Sequence, residues 1–188
     1  MPLPVPPRRL CAAIAVAPLA AIAALLFAAP SHAASPPCAA TAVAAGQAPA
    51  ATVGRAVRCL VNAQRAAHGL APLRPSRQLR VAAEAHGADM VSHRFFDHVS
   101  PLSGAITDRA RRAGYVRNRD YALGEDIAWG EGELSTPAAI VTAWMNSPGH
   151  RAVILDRDFH DVGVGITTGV PVASELPGAT FVLDVGAR

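Results

Sequence analysis

Apolar positions in the first half of the sequence recur at intervals of three and four residues. Helical spacing begins at Val53 and continues to Gln64, and Gly69 provides a helix C-terminal cap. Ser76 is a typical N-cap, and after it apolar residues and His86 recur at the same intervals. The pattern therefore predicts two long helices, with His86 on the buried side of the second.

Two shorter helices and two strands are predicted in the remainder. A short helix is predicted over 108–113, and a longer one begins at Ser135 and Thr136, with a proline in its first turn. The segments 161–167 and 179–186 are short and rich in β-branched residues, and the loop between them favours antiparallel pairing. Helices first and strands last predict an α+β domain with helices packed on a small sheet.

Composition and charge narrow the class of protein. The chain has 188 residues, 51% hydrophobic and 16% charged, which indicates one folded domain and excludes a disordered chain. Without residues 1–33, which carry Arg8 and Arg9, 15 basic groups face 14 acidic ones, so nucleic acid is not an expected partner. The arginine run from Arg109 to Arg119 is flanked by Asp108 and Asp120, which predicts a solvated face.

The N-terminus has the pattern of an export signal. A basic start is followed by an apolar run from Leu10 to Ala29 and by Ser31-His32-Ala33, with small residues at the cleavage positions, which predicts a signal peptide over 1–33. The alternative is an uncleaved anchor, but Pro18 and the small-residue site favour cleavage, with no stable membrane insertion afterwards. We expect an Ala/Pro-rich linker over 34–52 and a secreted, monomeric domain over 53–188.

The cysteines fit an oxidising compartment. Cys11 falls within the signal peptide, which leaves Cys38 and Cys59 as a pair. An even number of cysteines in an exported protein predicts a disulfide bond, which would attach the linker to the first helix. The alternative is that Cys59 is a thiol nucleophile with a histidine base.

Three residues are candidates for a functional site. His98 follows the aromatic pair Phe95-Phe96 and enters a loop, and His150 lies in "WMNSPGHR" near a predicted helix start. Glu125, in "GEDIAWG", precedes apolar residues, and burial would raise its pKa unless a charge or donor compensates. His68 is expected to interact with a helix C-terminus, and His86 to hydrogen-bond a carbonyl in the core.

Five ordered motifs resemble the bacterial branch of the CAP superfamily, which includes cysteine-rich secretory proteins, antigen 5 and pathogenesis-related 1 proteins. They are "CLVNAQRAAHGLAPL", "AHGADMVSHRFFDHVSP", "RARRAGY", "GEDIAWG" and "AWMNSPGHRAVIL", and the resemblance runs from about Cys59 to Gly186. It implies an α-β-α sandwich with a small antiparallel sheet, and a cleft lined by two histidines and two acidic residues. His98, Glu125 and His150 match three of these four positions.

The fourth cleft position departs from the family pattern, because Ser147 stands near the place of the second glutamate. A missing carboxylate favours a binding module, with a small apolar ligand, a lipid or an extracellular protein as partner. His98 and His150 are candidate ligands for zinc or another divalent cation. One alternative is a metal-assisted hydrolase of peptides or esters with Glu125 as base. The other is a structural cluster without chemistry.

Overall fold

The computed structural model describes residues 38–188, and the predicted signal peptide, Cys11 and residues 34–37 lie outside this range. The helices are α1 (Ala50–Ala67), α2 (Arg77–His93), α3 (Ile106–Arg112), α4 (Pro137–Asn146) and α5 (Pro148–Ile154). The strands are β1 (Arg74–Pro75), β2 (Ala122–Glu131), β3 (Asp161–Thr168) and β4 (Gly178–Ala187). No helix within 38–188 combines the length and the apolar character needed to cross a membrane.

The strands form one sheet in the order β1-β3-β4-β2. The two strands predicted at the end of the chain, β3 and β4, pair antiparallel as expected, and β2 pairs antiparallel with β4. The short β1 pairs parallel with β3, so the sheet is mixed and not entirely antiparallel. The strand β2, which carries Glu125, was not among the predicted elements and forms one edge of the sheet.

Helices cover both faces of the sheet, which gives the α-β-α layers that the resemblance implies. Alternate residues of β4 point to opposite faces. Phe181 and Leu183 pack with Val57 of α1 and Trp144 of α4, while Val182 packs with residues of α2 on the other face. The α+β class predicted from the order of elements is confirmed.

Glycines in β3 allow α2 to lie directly on the sheet. A Cβ atom added to Gly163 would lie 2.1 Å from the backbone nitrogen of Arg80, and one added to Gly165 would lie 2.4 Å from the carbonyl carbon of Ala83. Any larger residue would force the helix away from the strand. The close packing fixes the first half of α2 on the sheet, and the loop that carries His98 departs from the opposite end of the helix.

Local capping signals begin and end the helices as the sequence predicts. The Ser76 hydroxyl accepts a hydrogen bond from the backbone N–H of Leu79 at 3.3 Å, and Thr136 caps α4 in the same way. Beyond α1, Gly69 has a φ of 71°, a conformation that glycine adopts without strain. The position of both long helices therefore follows from the sequence.

The disulfide bond between Cys38 and Cys59 is present, as predicted. It leaves Cys59 without the thiol that a nucleophile needs. The residues after Cys38 also pack on the domain, because Ala45 donates a backbone hydrogen bond to Ser135 and Ala138 donates one to Thr41. Ordered packing thus extends N-terminal to Val53, where the sequence analysis places the start of the domain.

Candidate functional site

Glu125 and His98 form the centre of a polar cluster at the β2 edge of the sheet. The His98 Nδ1 atom lies 2.9 Å from Glu125 Oε1, across 27 residues of sequence. The Glu125 side chain is only 3% exposed, whereas that of His98 is 54% exposed. The histidine therefore lies between a buried carboxylate and the solvent.

Asp89 of α2 holds the loop that carries His98. One of its carboxylate oxygens accepts hydrogen bonds from the hydroxyls of Ser100, at 2.9 Å, and Ser103, at 2.5 Å. The backbones of Ser100 and Gly104 also hydrogen-bond each other, which closes the loop. These contacts anchor the loop to α2 and so position the His98 imidazole.

Arg109 of α3 is the second hydrogen-bond partner of the Glu125 carboxylate. Its Nη2 atom donates to Glu125 Oε2, and its Nη1 atom donates to the carbonyl oxygens of His98, at 3.2 Å, and Gly104, at 2.5 Å. The Arg109 side chain is 1% exposed. The prediction that it lies on a solvated face is therefore wrong for this residue, because a buried carboxylate requires a buried counter-charge.

The electrostatics of this cluster differ from the expectation for a buried glutamate. Burial alone would raise the pKa of Glu125, but the hydrogen bond from His98 and the charge of Arg109 outweigh it and lower the pKa. The hydrogen bond to Glu125 in turn raises the pKa of His98. The pair therefore favours an ionised glutamate beside a histidine that is more readily protonated than usual.

A second carboxyl group lies directly beside Glu125. Asp184 of β4 is the cross-strand partner of Glu125, and its residue is fully buried. Burial and the adjacent negative charge of Glu125 raise the pKa of Asp184 well above its usual range. Asp184 is thus a second acid of the cluster, although it comes from β4 and not from the position near Ser147 where the family pattern places the second glutamate.

His86 lies on the inner side of the cluster. It is fully buried, as predicted, and its Nε2 atom is 3.8 Å from Glu125 Oε1, beyond hydrogen-bond distance. Neither ring nitrogen meets full hydrogen-bond geometry with a partner within residues 38–188, but the backbone of Asp97 lies near enough to raise the pKa of the ring, in the sense of the expected carbonyl contact. Burial lowers the pKa of His86, which favours the neutral ring.

His150 approaches the cluster but does not join it by a direct bond. It lies in α5, and its buried Nδ1 atom has no hydrogen-bond partner among the described residues. Burial and the charge of His98 lower its pKa. The structure therefore brings His98 and Glu125 into contact. It places His150 near enough for the charge of His98 to lower the pKa of His150.

Asp126 is a further buried carboxyl group next to the cluster. Side chains alternate along a strand, so it points to the face of β2 opposite to Glu125. It is 1% exposed, and neither carboxylate oxygen has a partner within the described chain. Burial raises the pKa of Asp126 to about 8, so it holds a proton at neutral pH.

The arrangement does not fit a zinc centre with three or four protein ligands. Both oxygens of Glu125 are hydrogen-bonded, one to His98 and one to Arg109. Within residues 38–188 no three His, Cys, Asp or Glu side chains are grouped so that they could hold a metal ion. His98 and His150 would supply at most two nitrogen ligands.

The loop around His98 exposes several apolar side chains. Phe96 is 45% exposed, Val99 56% and Leu102 63%. Phe95, beside them in the sequence, packs instead into the core cluster near α2. The exposed residues give the surface next to the His98 imidazole an apolar character.

The cysteine-rich secretory protein family (CAP) matches residues 59–173, a range that includes His98, Glu125 and His150. The chain belongs to the CAP family. Its relatives include YkwD of Bacillus subtilis, 41% identical over 106 residues, and the membrane protein YlbC of the same organism, 37% identical over 107. These matches cover 56% and 57% of this chain but only 39% and 29% of the relatives, so it spans well under two thirds of either one.

Solved structures share the fold. An extracellular protein with an SCP domain from Bacillus anthracis superposes with a TM-score of 0.54 at 29% identity, over 69% of this chain and 39% of the other. An outer surface protein from Borrelia burgdorferi gives a TM-score of 0.56 at 19% identity, over 70% and 90% of the respective chains. The second likeness supports the CAP fold alone.

Sequence reasoning missed two members of the cluster, Arg109 and Asp184. Arg109 lies in the "RARRAGY" motif, but the two acids that flank the arginine run suggested solvent exposure. Asp184 is an isolated acid within the apolar strand segment "ATFVLDVG". A charged residue at an inward position of a predicted strand is the signal that could have identified it.

Proposed function

We propose that this CAP domain is an extracytoplasmic binding module. Its cleft, centred on His98, takes a small ligand with an apolar body and a carboxylate or similar acceptor oxygen. One observation carries this proposal: both oxygens of Glu125 are already hydrogen-bonded and its side chain is 3% exposed. The polar group left to meet a ligand is therefore the His98 imidazole.

The same geometry argues against Glu125 as a general base. A base at neutral pH works best with a pKa near the operating pH and needs an oxygen within reach of the proton that it removes. The pKa of Glu125 is lowered, and its two oxygens accept from His98 and Arg109. Activation of water by this carboxylate would require both contacts to break, so the hydrolase alternative has less support.

The surroundings of His98 define the ligand class. The Nδ1 atom is bound to Glu125, which leaves the Nε2 atom as a donor toward solvent, and the raised pKa of His98 favours a positive ring. The exposed Phe96, Val99 and Leu102 provide apolar contact area on the same loop. A medium-chain fatty acid combines the carboxylate and the apolar chain that this surface would recognise.

Export to an oxidising compartment is the second part of the proposal. The predicted signal peptide over 1–33 and the disulfide between Cys38 and Cys59 support it. The relative from Bacillus anthracis is described as extracellular and the one from Borrelia burgdorferi as an outer surface protein. We therefore propose that the domain acts outside the cytoplasm.

Calorimetric titration of the purified protein with dodecanoate near pH 6 tests the cleft. We expect binding in the wild type, loss of binding in His98→Ala, and unchanged binding in His160→Ala. The matched control His160 is exposed, and its side chain has no contact with Glu125 or Arg109. The His98→Ala variant should lose only a few degrees of melting temperature, since the removed ring is half exposed although it is hydrogen-bonded to the buried Glu125.

Three results would contradict the proposal. Absence of dodecanoate binding in the wild type would exclude a fatty acid as the ligand of the cleft. A large fall in the melting temperature of His98→Ala, without any binding in the wild type, would indicate a structural cluster. Zinc binding that is lost in His98→Ala/His150→Ala, and weakened at low pH where imidazole protonates, would replace the organic ligand with a metal.

A further inference from the structure

The edge of the sheet opposite to β2 is only partly covered. Arg74 donates a backbone hydrogen bond to His160 and Ser76 donates one to Val162, each at 2.8 Å. Beyond Ser76 the chain turns away into α2, so β1 covers β3 only at Asp161 and Val162. Among residues 38–188, the remaining part of β3, from Gly163 to Thr168, has no neighbouring strand on this side.

The backbone of β3 offers hydrogen-bonding groups at this open edge. The even-numbered His160 and Val162 direct their carbonyl groups toward β1, and backbone direction alternates along a strand. Val164 and Ile166 therefore direct their N–H and C=O groups to the same side, past the end of β1. Such a row of backbone groups is a template for an additional strand.

A groove of about 450 Å³ lies along this edge, between α1 and α2. Val162, Val164 and Ile166 of β3 form an apolar floor. The α1 side of the wall includes three small residues, Ala50, Ala51 and Gly54, which leave the space open. The volume falls within the range of ordinary ligand sites.

Arginines surround the groove. Arg55 and Arg58 of α1 and Arg77 and Arg80 of α2 line it, together with a single acid, Glu84, which pairs with Arg80 at 2.5 Å. The side chains of Arg58 and Arg77 form no hydrogen bond or ion pair with the rest of residues 38–188. The groove therefore carries an excess of positive charge.

Two of these arginines occupy an unfavourable helix position. Arg77 and Arg80 lie in the first turn of α2, which contains no acidic residue. The N-terminal end of a helix carries a partial positive charge and is stabilised by acids and destabilised by bases. The ion pair with Glu84 one turn later compensates Arg80. Helix stability does not explain Arg77, whereas a bound anionic group would compensate its charge.

We propose that this groove binds an extended acidic segment of a partner protein, which pairs with the open edge of β3 as an added strand. An acyl chain would fill the apolar floor but would leave the edge groups of Val164 and Ile166 without hydrogen-bond partners. A peptide supplies both donors and acceptors, and acidic side chains would reach the arginines. The uncovered edge from Gly163 to Thr168 accommodates a strand of about six residues at ~3.3 Å each.

This site is independent of the proposed ligand cleft. The sheet order β1-β3-β4-β2 places the groove at one edge and Glu125 at the other. No residue that lines the groove contacts His98, Glu125 or Arg109 through a hydrogen bond. The domain would thus bind a partner at one edge and a small ligand at the opposite one.

Fluorescence anisotropy with synthetic peptides tests the proposal. The probe is a labelled, capped peptide of alternating glutamate and valine, and the purified protein is titrated into it at low salt. We expect binding that weakens at least about tenfold when alternate backbone nitrogens of the peptide are methylated, because methylation removes the donors that pair with β3. A lysine-valine peptide of equal length should not bind.

Two variants locate the site. A Cβ added at Gly54 meets nothing closer than 3.8 Å, so Gly54→Leu should fold, with an unchanged or raised melting temperature, and its side chain should fill the groove. We expect Gly54→Leu to abolish peptide binding without a change of charge. Arg58→Glu/Arg77→Glu should weaken binding at least about tenfold, whereas Arg119→Glu/Arg157→Glu, which makes the same charge change outside the groove, should weaken it far less.

The alternatives give different results. Equal binding of the methylated peptide would show that charge alone attracts it and would overturn strand pairing. Dodecanoate binding that is lost in Gly54→Leu, without binding of the peptide, would identify an anionic amphiphile as the occupant. Peptide binding that survives Gly54→Leu would place the peptide elsewhere on the protein and would also overturn the proposal.

Discussion

Glu125 and Asp184 are direct cross-strand partners on β2 and β4, and both carboxyl groups are buried. Two adjacent buried carboxyl groups do not both ionise at neutral pH. Arg109 and His98 bond to Glu125, so the negative charge resides there, and Asp184 retains its proton. The sheet thus holds an acid and a carboxylate side by side beneath the proposed ligand cleft.

Asp184→Asn should preserve this arrangement, because the amide, like a protonated acid, is neutral and offers a donor on the Glu125 side of the pair. We expect the free energy of unfolding near pH 6 to change by less than ~1 kcal/mol. The infrared carbonyl absorption of protonated carboxyl groups near neutral pH should decrease in this variant. Asp120→Asn, at an exposed position, is the control, and an unchanged absorption in Asp184→Asn would show that Asp184 is ionised.

His98 should titrate above the usual histidine range in a proton NMR experiment, since Glu125 raises its pKa. A histidine pKa that is higher in the folded state stabilises the fold below the unfolded pKa, and the stabilisation is lost as pH rises through the folded pKa. Glu125→Gln should lower the His98 pKa, and Glu133→Gln, which changes an exposed acid, should not. A His98 pKa that does not respond to Glu125→Gln would contradict the contact.

Arg109→Met should be the most destabilising change in the cluster. It leaves the Glu125 carboxylate buried without its guanidinium partner, which typically costs about 3–5 kcal/mol. Urea unfolding should show this loss, whereas Arg111→Met on the exposed side of α3 should have little effect. Adding Glu125→Gln to Arg109→Met should recover part of the stability, and a purely additive double variant would argue against the pair.

Local signals explain which elements the sequence predicts. The caps at Ser76 and Thr136 and the β-branched runs of β3 and β4 act over a few residues, so they are visible without knowledge of the fold. Strand β2 lacks such a signal. Its residues include glycines and the adjacent acids Glu125 and Asp126, which point to opposite faces and are both buried, so that the usual alternation of apolar and polar residues is lost.

Long-range pairing limits what the sequence reveals about the site. The contact between His98 and Glu125 spans 27 residues and was expected only through the family resemblance. Arg109 lies among exposed arginines, and only the position of Glu125 in the fold distinguishes it from Arg111 and Arg112. The burial of Arg109 depends on the tertiary structure and cannot be read from the pattern of charges along the chain.

Asp126 should make the stability of the protein depend on pH in the direction opposite to most carboxylates. Its pKa is about 8 in the folded state and lower in the unfolded chain, so the folded state binds the proton more tightly. Stability is therefore highest at low pH with respect to this group and falls as pH rises toward 8. The reason is that the buried carboxylate has no hydrogen-bond donor among the described residues, and that the charge of His98 does not outweigh the effect of burial.

Asp126→Asn removes this ionisable group. The substitution should stabilise the protein at pH values at which the Asp126 carboxyl group of the wild type is ionised in the unfolded chain but disfavoured as an anion in the fold. Urea unfolding should show a gain near pH 8 that exceeds the gain near pH 5 by on the order of 1.4 kcal/mol for each pH unit between them. Asp120→Asn, at an exposed position, should show no such difference between the two pH values. An Asp126→Asn effect that is equal at both pH values would mean that Asp126 is ionised in the folded state at both, and a loss of stability would show that a cation or donor compensates its burial.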